Sequence, residues 1–167
     1  IMAAFVTAAI FFIKGQPVLQ RIGLEQGLPN ATVVDIAQDP KGFLWFATKQ
    51  GLCRFDGSRF ISYHTGNSKL SGNELNALLV DPQDSKLWIA TERDGLNLFD
   101  PEKRSFHSFR HDPRNPYSIS SDEITALAPA SGGIWVANYS TGVDFYHPQQ
   151  RNFSHFNAHT VEGMPSG

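Results

Sequence analysis

A single cysteine, Cys53, in 167 residues removes two chemistries at once. It has no partner for a disulfide, and no C-x-x-C spacing offers a zinc site. Set in an alternating apolar stretch, it reads as a small buried hydrophobe rather than a nucleophile. An excess of charge is lacking too. The net charge of −2 leaves no electrostatic footprint for nucleic acid or for an anionic membrane surface. The nearest basic patch, Lys103, Arg104, Arg110 and Arg114, is interleaved with Asp100, Glu102 and Asp112 and reads as a solvated rim. The uncharged opening IMAAFVTAAIFFI stops after 13 residues at Lys14, short of the about 20 needed to span a membrane. After residue 20 no helical periodicity of any length appears. The six histidines form no H-x-H or i,i+4 pair suited to zinc. His64, His107 and His155 fall on or beside outer strands, His111 and His147 in loops and His159 in the tail, and all are expected at the solvated surface. No metal or other cofactor is implied.

What is present is a balanced composition, 41% hydrophobic and 18% charged, which argues for a folded chain with a real core. The core is patterned by repetition, which has to be sought before any other feature. The segment LPNATVVDIAQDPKGFLWFATKQGLCRFDGSRFISY runs from Leu28 to Tyr63. LSGNELNALLVDPQDSKLWIATERDGLNLFDPEKRSFHSF follows from Leu70 to Phe109, and ISSDEITALAPASGGIWVANYSTGVDFYHPQQRNFSHF from Ile119 to Phe156. Each copy opens on an aliphatic residue and a polar turn, then runs through four short apolar stretches. The second stretch carries Trp45, Trp88 or Trp135, and the turn after it ends in Gly51, Gly95 or Gly142.

Short β-rich runs joined by Asp, Pro, Gly and Ser describe an antiparallel meander. Four strands in about 40–50 residues is the size of one propeller blade. The fold class expected is therefore all-β, a β-propeller of about three four-stranded antiparallel blades from a longer ring. The recurrent glycines suit a turn that needs positive φ. Asp39-Pro40 and Asp81-Pro82 end the first strands, because proline cannot donate to a ladder. Asp39, Asp81, Asp56 and Asp100 are expected to hydrogen-bond turn amides. Each tryptophan is expected to lie buried between adjacent blades.

The chain then divides as follows: residues 1–15, a signal peptide or membrane-anchor remnant, with a buried helix as the alternative; 16–27, an outer, ring-closing strand and linker; 28–64, 65–111 and 112–157, three blades; and 158–167, the start of the next inter-blade loop. Beginning at Ile1 rather than Met suggests an incomplete gene product.

DPKGFLWFATKQGLCRFD and DPQDSKLWIATERDGLNLFD strongly resemble the two-component regulator propeller repeat. HDPRNPYSISSDEI looks like an inter-blade loop of the same family, and IGLEQGLPNATV like the segment that starts its sensor regions. The third copy departs from the pattern. Ala128-Pro129 stands for Asp-Pro, Asn138 for Thr, and Tyr146-His147 for Phe-Asp. The resemblance implies a periplasmic sensor anchored to the bacterial inner membrane, binding a small-molecule signal, often an oligosaccharide. The remaining blades, a membrane-linked histidine kinase or a diguanylate cyclase, and a homodimeric assembly would belong to the full-length protein. No Gly-rich nucleotide loop or phosphoacceptor context is present here, so no enzymatic activity is expected of this segment and no catalytic residue is named.

In a propeller, the loop entering the innermost strand and the loop between second and third strands share one face. That places Asn30, Lys49, Asn73, Glu92, Arg93, Asp122 and Tyr139 on the candidate ligand face, where Tyr139 could stack on a sugar ring and Arg93 and Glu92 could bond hydroxyls. Two other readings stay open: a fragment of a propeller enzyme such as a lyase or glycosidase, and a protein-interaction scaffold.

Overall fold

A computed structural model describes residues 7–13, 16–21 and 23–157, the first two stretches as backbone only. Strands β1 (Thr7–Ile13) and β2 (Gln16–Arg21) pair antiparallel, with Ile10 opposite Leu19 and Ile13 opposite Gln16. Residues 7–13 of the opening run thus form a strand rather than the helix weighed as the alternative, in keeping with their Thr, Ile and Phe content. Among the described residues β2 pairs with β1 alone. The remainder of the expected leader, residues 1–6 and 14–15, and the loop expected at 158–167 lie outside the described residues.

The other described residues form three antiparallel four-stranded sheets, each running in simple chain order. The first contains β3 (Val33–Gln38), β4 (Leu44–Thr48), β5 (Gly51–Phe55) and β6 (Phe60–Tyr63). The second contains β7 (Leu75–Val80), β8 (Leu87–Thr91), β9 (Leu96–Asp100) and β10 (Ser105–Phe109). The third contains β11 (Ile124–Ala130), β12 (Gly133–Asn138), β13 (Gly142–His147) and β14 (Asn152–Phe156). These are propeller blades, and among the described residues the chain has no α-helix. No helix of the described residues is long and apolar enough to cross a membrane.

Two of the three buried clusters lie between blades, and the third, Leu28, Val33, Phe46, Cys53 and Phe55, lies on the opposite face of the first blade. Trp45, Ala47 and Leu52 of the first blade pack with Leu75, Leu78, Leu87, Ile89 and Phe99 of the second. Ala77, Trp88, Ala90 and Leu96 of the second pack with Ile124, Ile134, Val136, Tyr146 and Phe153 of the third. Each contact is centred on an edge-to-face pair, Trp45 on Phe99 at 5.5 Å and Trp88 on Tyr146 at 4.9 Å. Such geometry sets the positive ring edge against a π-face and adds to the area buried.

Trp135 breaks the expected pattern. It is 37% exposed and meets only rings of its own blade, Phe145 and Phe156, among its aromatic contacts. It stands on the face through which the first and second blades each engage their successor, and no described sheet lies against it. The turn before it differs as well. Asp39 and Asp81 accept the indole N–H of Trp45 and Trp88, each at 2.9 Å. In the third blade the corresponding turn, Ala130-Ser131-Gly132, offers no carboxylate.

Candidate functional site

The face proposed from the repeat is built from two elements in each blade. One is the turn between second and third strands, which places Lys49, Glu92 and Tyr139 at equivalent positions four residues after the tryptophan. The other is the innermost strand, whose register slips once near its start in every blade, between Val33 and Asp35, Leu75 and Ala77, and Ile124 and Ala126. A bulge of this kind re-aims one side chain. The residues freed are Val34, Asn76 and Thr125.

The turns are set by two local devices. Gly51, Gly95 and Gly142 adopt φ of +118°, +74° and +97°. A Cβ on any of them would run into the backbone carbonyl oxygen of Tyr63, Phe109 or Phe156, the last residue of its outer strand. Thr48 and Thr91 donate their hydroxyls to the carbonyls of Gly51 and Gly95 at 2.7 and 2.6 Å.

The structure brings Lys49 and Glu92 together. The Lys49 ammonium donates to Glu92 at 2.7 Å and to Asn76 Oδ1 at 3.0 Å, and Asn76 Nδ2 donates to the Ile124 carbonyl at 2.9 Å. One chain of polar contacts therefore ties all three blades. The Lys49 hydrogen bond and charge hold the Glu92 carboxyl below its ordinary range. Asp35 adds a second tie, accepting the Leu78 N–H across the first two blades at 2.7 Å.

Three of the other expected residues are engaged by the protein's own loops. Asn30 Oδ1 accepts the Thr32 N–H at 2.7 Å. Asn73 Oδ1 accepts the Thr65 N–H at 2.9 Å. Asp122 pairs with Arg110 at 3.1 Å and accepts the His111 N–H at 2.8 Å, and the same guanidinium reaches Asp94 at 3.0 Å. Arg93 is exposed. Tyr139 is 75% exposed, the most open large hydrophobic ring of the described residues. These two are the groups left facing solvent with a guanidinium and an aromatic face to offer.

No group of three or more His, Cys, Asp or Glu among the described residues is arranged to hold a metal ion. Cys53 is fully buried in the first blade, and burial pushes its thiol up to about 11. Three cations of the basic rim are ion-paired, Lys103 with Asp100, Arg110 as above and Arg114 with Asp112.

One constellation had no sequence signal. His155, expected at the surface, is half-buried and bonds Asp144 Oδ1 through Nδ1 at 2.7 Å. Asp144 is buried, and its other oxygen accepts Ser120 N–H, Ser120 Oγ–H and Asn138 Nδ2–H at 2.8, 3.0 and 3.0 Å. Ser, His and Asp thus meet, but not as a nucleophilic relay. The serine hydroxyl points at the aspartate rather than at the imidazole, so the histidine cannot take its proton. The only advance hint was that position 138 departs from threonine in the third copy.

Comparison with known proteins agrees with the fold. Residues 27–50 match the family model for the two component regulator propeller. The structure superposes with a TM-score of 0.81 on a solved protein named as the extracellular domain of a hybrid two component system of B. thetaiotaomicron, 41% identical over 88% of the chain. The chain is therefore similar to two-component regulator propeller proteins, in one repeat by sequence and across most of its length by structure. A second extracellular domain from that organism, named as part of a one component system, is 23% identical over 90% of the chain with a TM-score of 0.69 and shares the fold. The chain spans only 21% and 22% of these two solved chains. No curated protein matches it.

Proposed function

We propose that this chain is part of the ligand-sensing region of a membrane signalling protein, placed outside the cytoplasm. The observation that carries this reading is the 41% identity, over 88% of the chain, with an extracellular domain of a hybrid two component system. The segment itself does no chemistry in this reading. It would recognise a small signal, an oligosaccharide in the most specific form, and pass the event to a kinase or cyclase part joined through the membrane. A homodimer of the full-length receptor would give the output domains a neighbour to act on. The further blades would cover Trp135 as the second and third blades cover Trp45 and Trp88.

Ligand contact is assigned to the face that carries Tyr139 and Arg93, because an exposed ring and a guanidinium match the apolar face and the hydroxyls of a sugar. Lys49 and Glu92, already bonded to each other, would serve by fixing the relative position of two blades or by exchanging their mutual bond for a ligand bond. The test is calorimetric titration of the complete propeller region with a broad glycan panel. The expected result is saturable binding to one glycan class that is lost in Tyr139→Ala and Arg93→Ala. Silence across the panel overturns the sugar form of the reading. A gene whose ring closes without any membrane segment or output domain overturns the sensor reading itself.

A further inference from the structure

Superimposing the repeats in sequence reveals one position pair that changes character from blade to blade. Two residues after each turn glycine stand Cys53, Asn97 and Asp144. Opposite them on the outer strands are Ser62, Ser108 and His155, as the strand registers place them. In the first blade the pair is a weak contact, Ser62 Oγ to Cys53 Sγ at 3.8 Å. The second blade builds a neutral knot. Asn97 Oδ1 accepts Ser108 Oγ–H at 2.8 Å and Ser71 N–H at 3.1 Å, while its Nδ2 donates to Ser71 Oγ at 2.8 Å. Asn97 is fully buried. This knot fastens the loop entering the second blade to the body of that blade.

The third blade keeps the knot and makes it ionisable. Ser120 takes the place of Ser71, Asp144 that of Asn97, and His155 that of Ser108. His155 also does what a serine cannot: its Nε2 reaches the Pro116 carbonyl oxygen at 2.9 Å, in the loop between the second and third blades. Both ring nitrogens therefore face acceptors that carry no proton, a carboxylate oxygen and a peptide carbonyl oxygen. A neutral imidazole has one N–H and could satisfy only one of them; the imidazolium has two and satisfies both. Asp144 in turn receives three further donors on its other oxygen, the pattern of an ionised carboxylate.

We propose that His155 is a proton-operated latch: as imidazolium it clamps the inter-blade loop at Pro116 to Asp144 of the third blade, and on losing its proton it lets that loop go. The adjoining Phe153 N–H to Tyr117 carbonyl bond, 3.0 Å, is the next contact along the same seam and opens with it. The loop and β14 enclose an open cleft of about 420 Å³, lined by Tyr117, His147, Gln150 and Asn152 among others, so release changes the shape of a surface groove.

The titratable groups around the ring are Asp144 and His147 on β13 and Tyr117 on the loop; His147 Nε2 is itself engaged with Ser154 Oγ at 2.8 Å. Burial alone would pull the His155 imidazolium down, but the Asp144 carboxylate and the Pro116 carbonyl reverse this and leave it above the ordinary histidine value. A group raised on folding stabilises the latched form fully below its unfolded value, and that contribution is lost as pH rises through its folded value.

The test is side-chain ¹⁵N NMR of the intact chain, combined with amide hydrogen exchange corrected for its intrinsic pH dependence. The expected result is that both ring nitrogens of His155 are protonated at pH 6 and that its midpoint lies above that of an unstructured histidine. Phe153 N–H should lose protection through that midpoint while Asp100 and its neighbours in the second blade keep theirs. Asp144→Asn should lower the midpoint. The double variant Asp144→Asn with His155→Ser restores the chemistry of the second blade's knot, so it should fold and show exchange at Phe153 that no longer responds to pH. A His155 midpoint at or below the free value overturns the proposal. So does unchanged protection at Phe153 through the titration, or a double variant that keeps the pH response. If the double variant does not fold, the titration and exchange of the unmodified chain still decide.

Discussion

Asp81 occupies a turn, yet its second oxygen is the sole carboxylate partner of a buried indole, and Asp39 does the same for Trp45. Asp81→Ala should therefore cost about 1–3 kcal/mol, the penalty for leaving a buried donor unpaired, read as a lowered urea midpoint. Gly95 combines φ of +74° with a carbonyl oxygen of Phe109 where its Cβ would sit. Gly95→Ala is expected to destabilise by about 1–3 kcal/mol. Gly57 has φ of +96° with nothing within 4 Å of a would-be Cβ, so Gly57→Ala meets conformational strain alone and costs less. Cys53, fully buried with its thiol pushed up to about 11, should react with a thiol reagent at pH 8 only as fast as the first blade opens. Urea below the unfolding midpoint should accelerate the reaction, and immediate labelling of the folded chain would contradict this packing.

At the scale of the blade, the three tryptophans separate into two kinds. Trp88 is 2% exposed between sheets, and Trp88→Ala should cost about 3–5 kcal/mol. Trp135→Ala should cost well under half of that, because no described sheet lies against its outer face. Comparing the two variants by urea denaturation, with m-values checked for two-state behaviour, measures what one inter-blade contact contributes. The strands themselves were legible in advance. Alternating apolar residues, turn prolines and repeated glycines mark them locally, and register follows once one blade face is buried. The fates of the three copies were not legible in the same way. Ala128-Pro129, Asn138 and Tyr146-His147 read as unrelated departures from a repeat. In the fold, loss of the turn aspartate accompanies exposure of Trp135, and Asn138 turns toward Asp144 instead of capping its own turn as Thr48 and Thr91 do. These pairings cross from strand to strand and loop to strand, so no local pattern carries them.

For the whole molecule, the first and second blades bury their tryptophan faces on their successors, and the third presents Trp135 with Val143 and Phe156, 36–40% exposed, to solvent. A contiguous apolar patch of this kind drives association. The isolated 167-residue chain should show concentration-dependent self-association by analytical ultracentrifugation, and Trp135→Glu should suppress it. Equal behaviour of the two chains would show that the patch is not adhesive. Repeat arithmetic put Lys49, Glu92 and Tyr139 at equivalent turn positions, four residues after each tryptophan, and the turns of the three blades match it. The partners of the candidate-face residues were another matter. Lys49 with Glu92 and Asn76, and Asp122 with Arg110, depend on how one blade is rotated against the next. The sequence by itself determined the strands, the turns and the threefold repetition, because short-range patterning and glycine sterics act within a few residues. Only the tertiary structure decided which polar groups are spent on holding blades together, which face solvent, and that a serine, an aspartate and a histidine from separate segments meet in one charged knot. Those outcomes depend on distances between residues far apart in the chain, which periodicity does not encode.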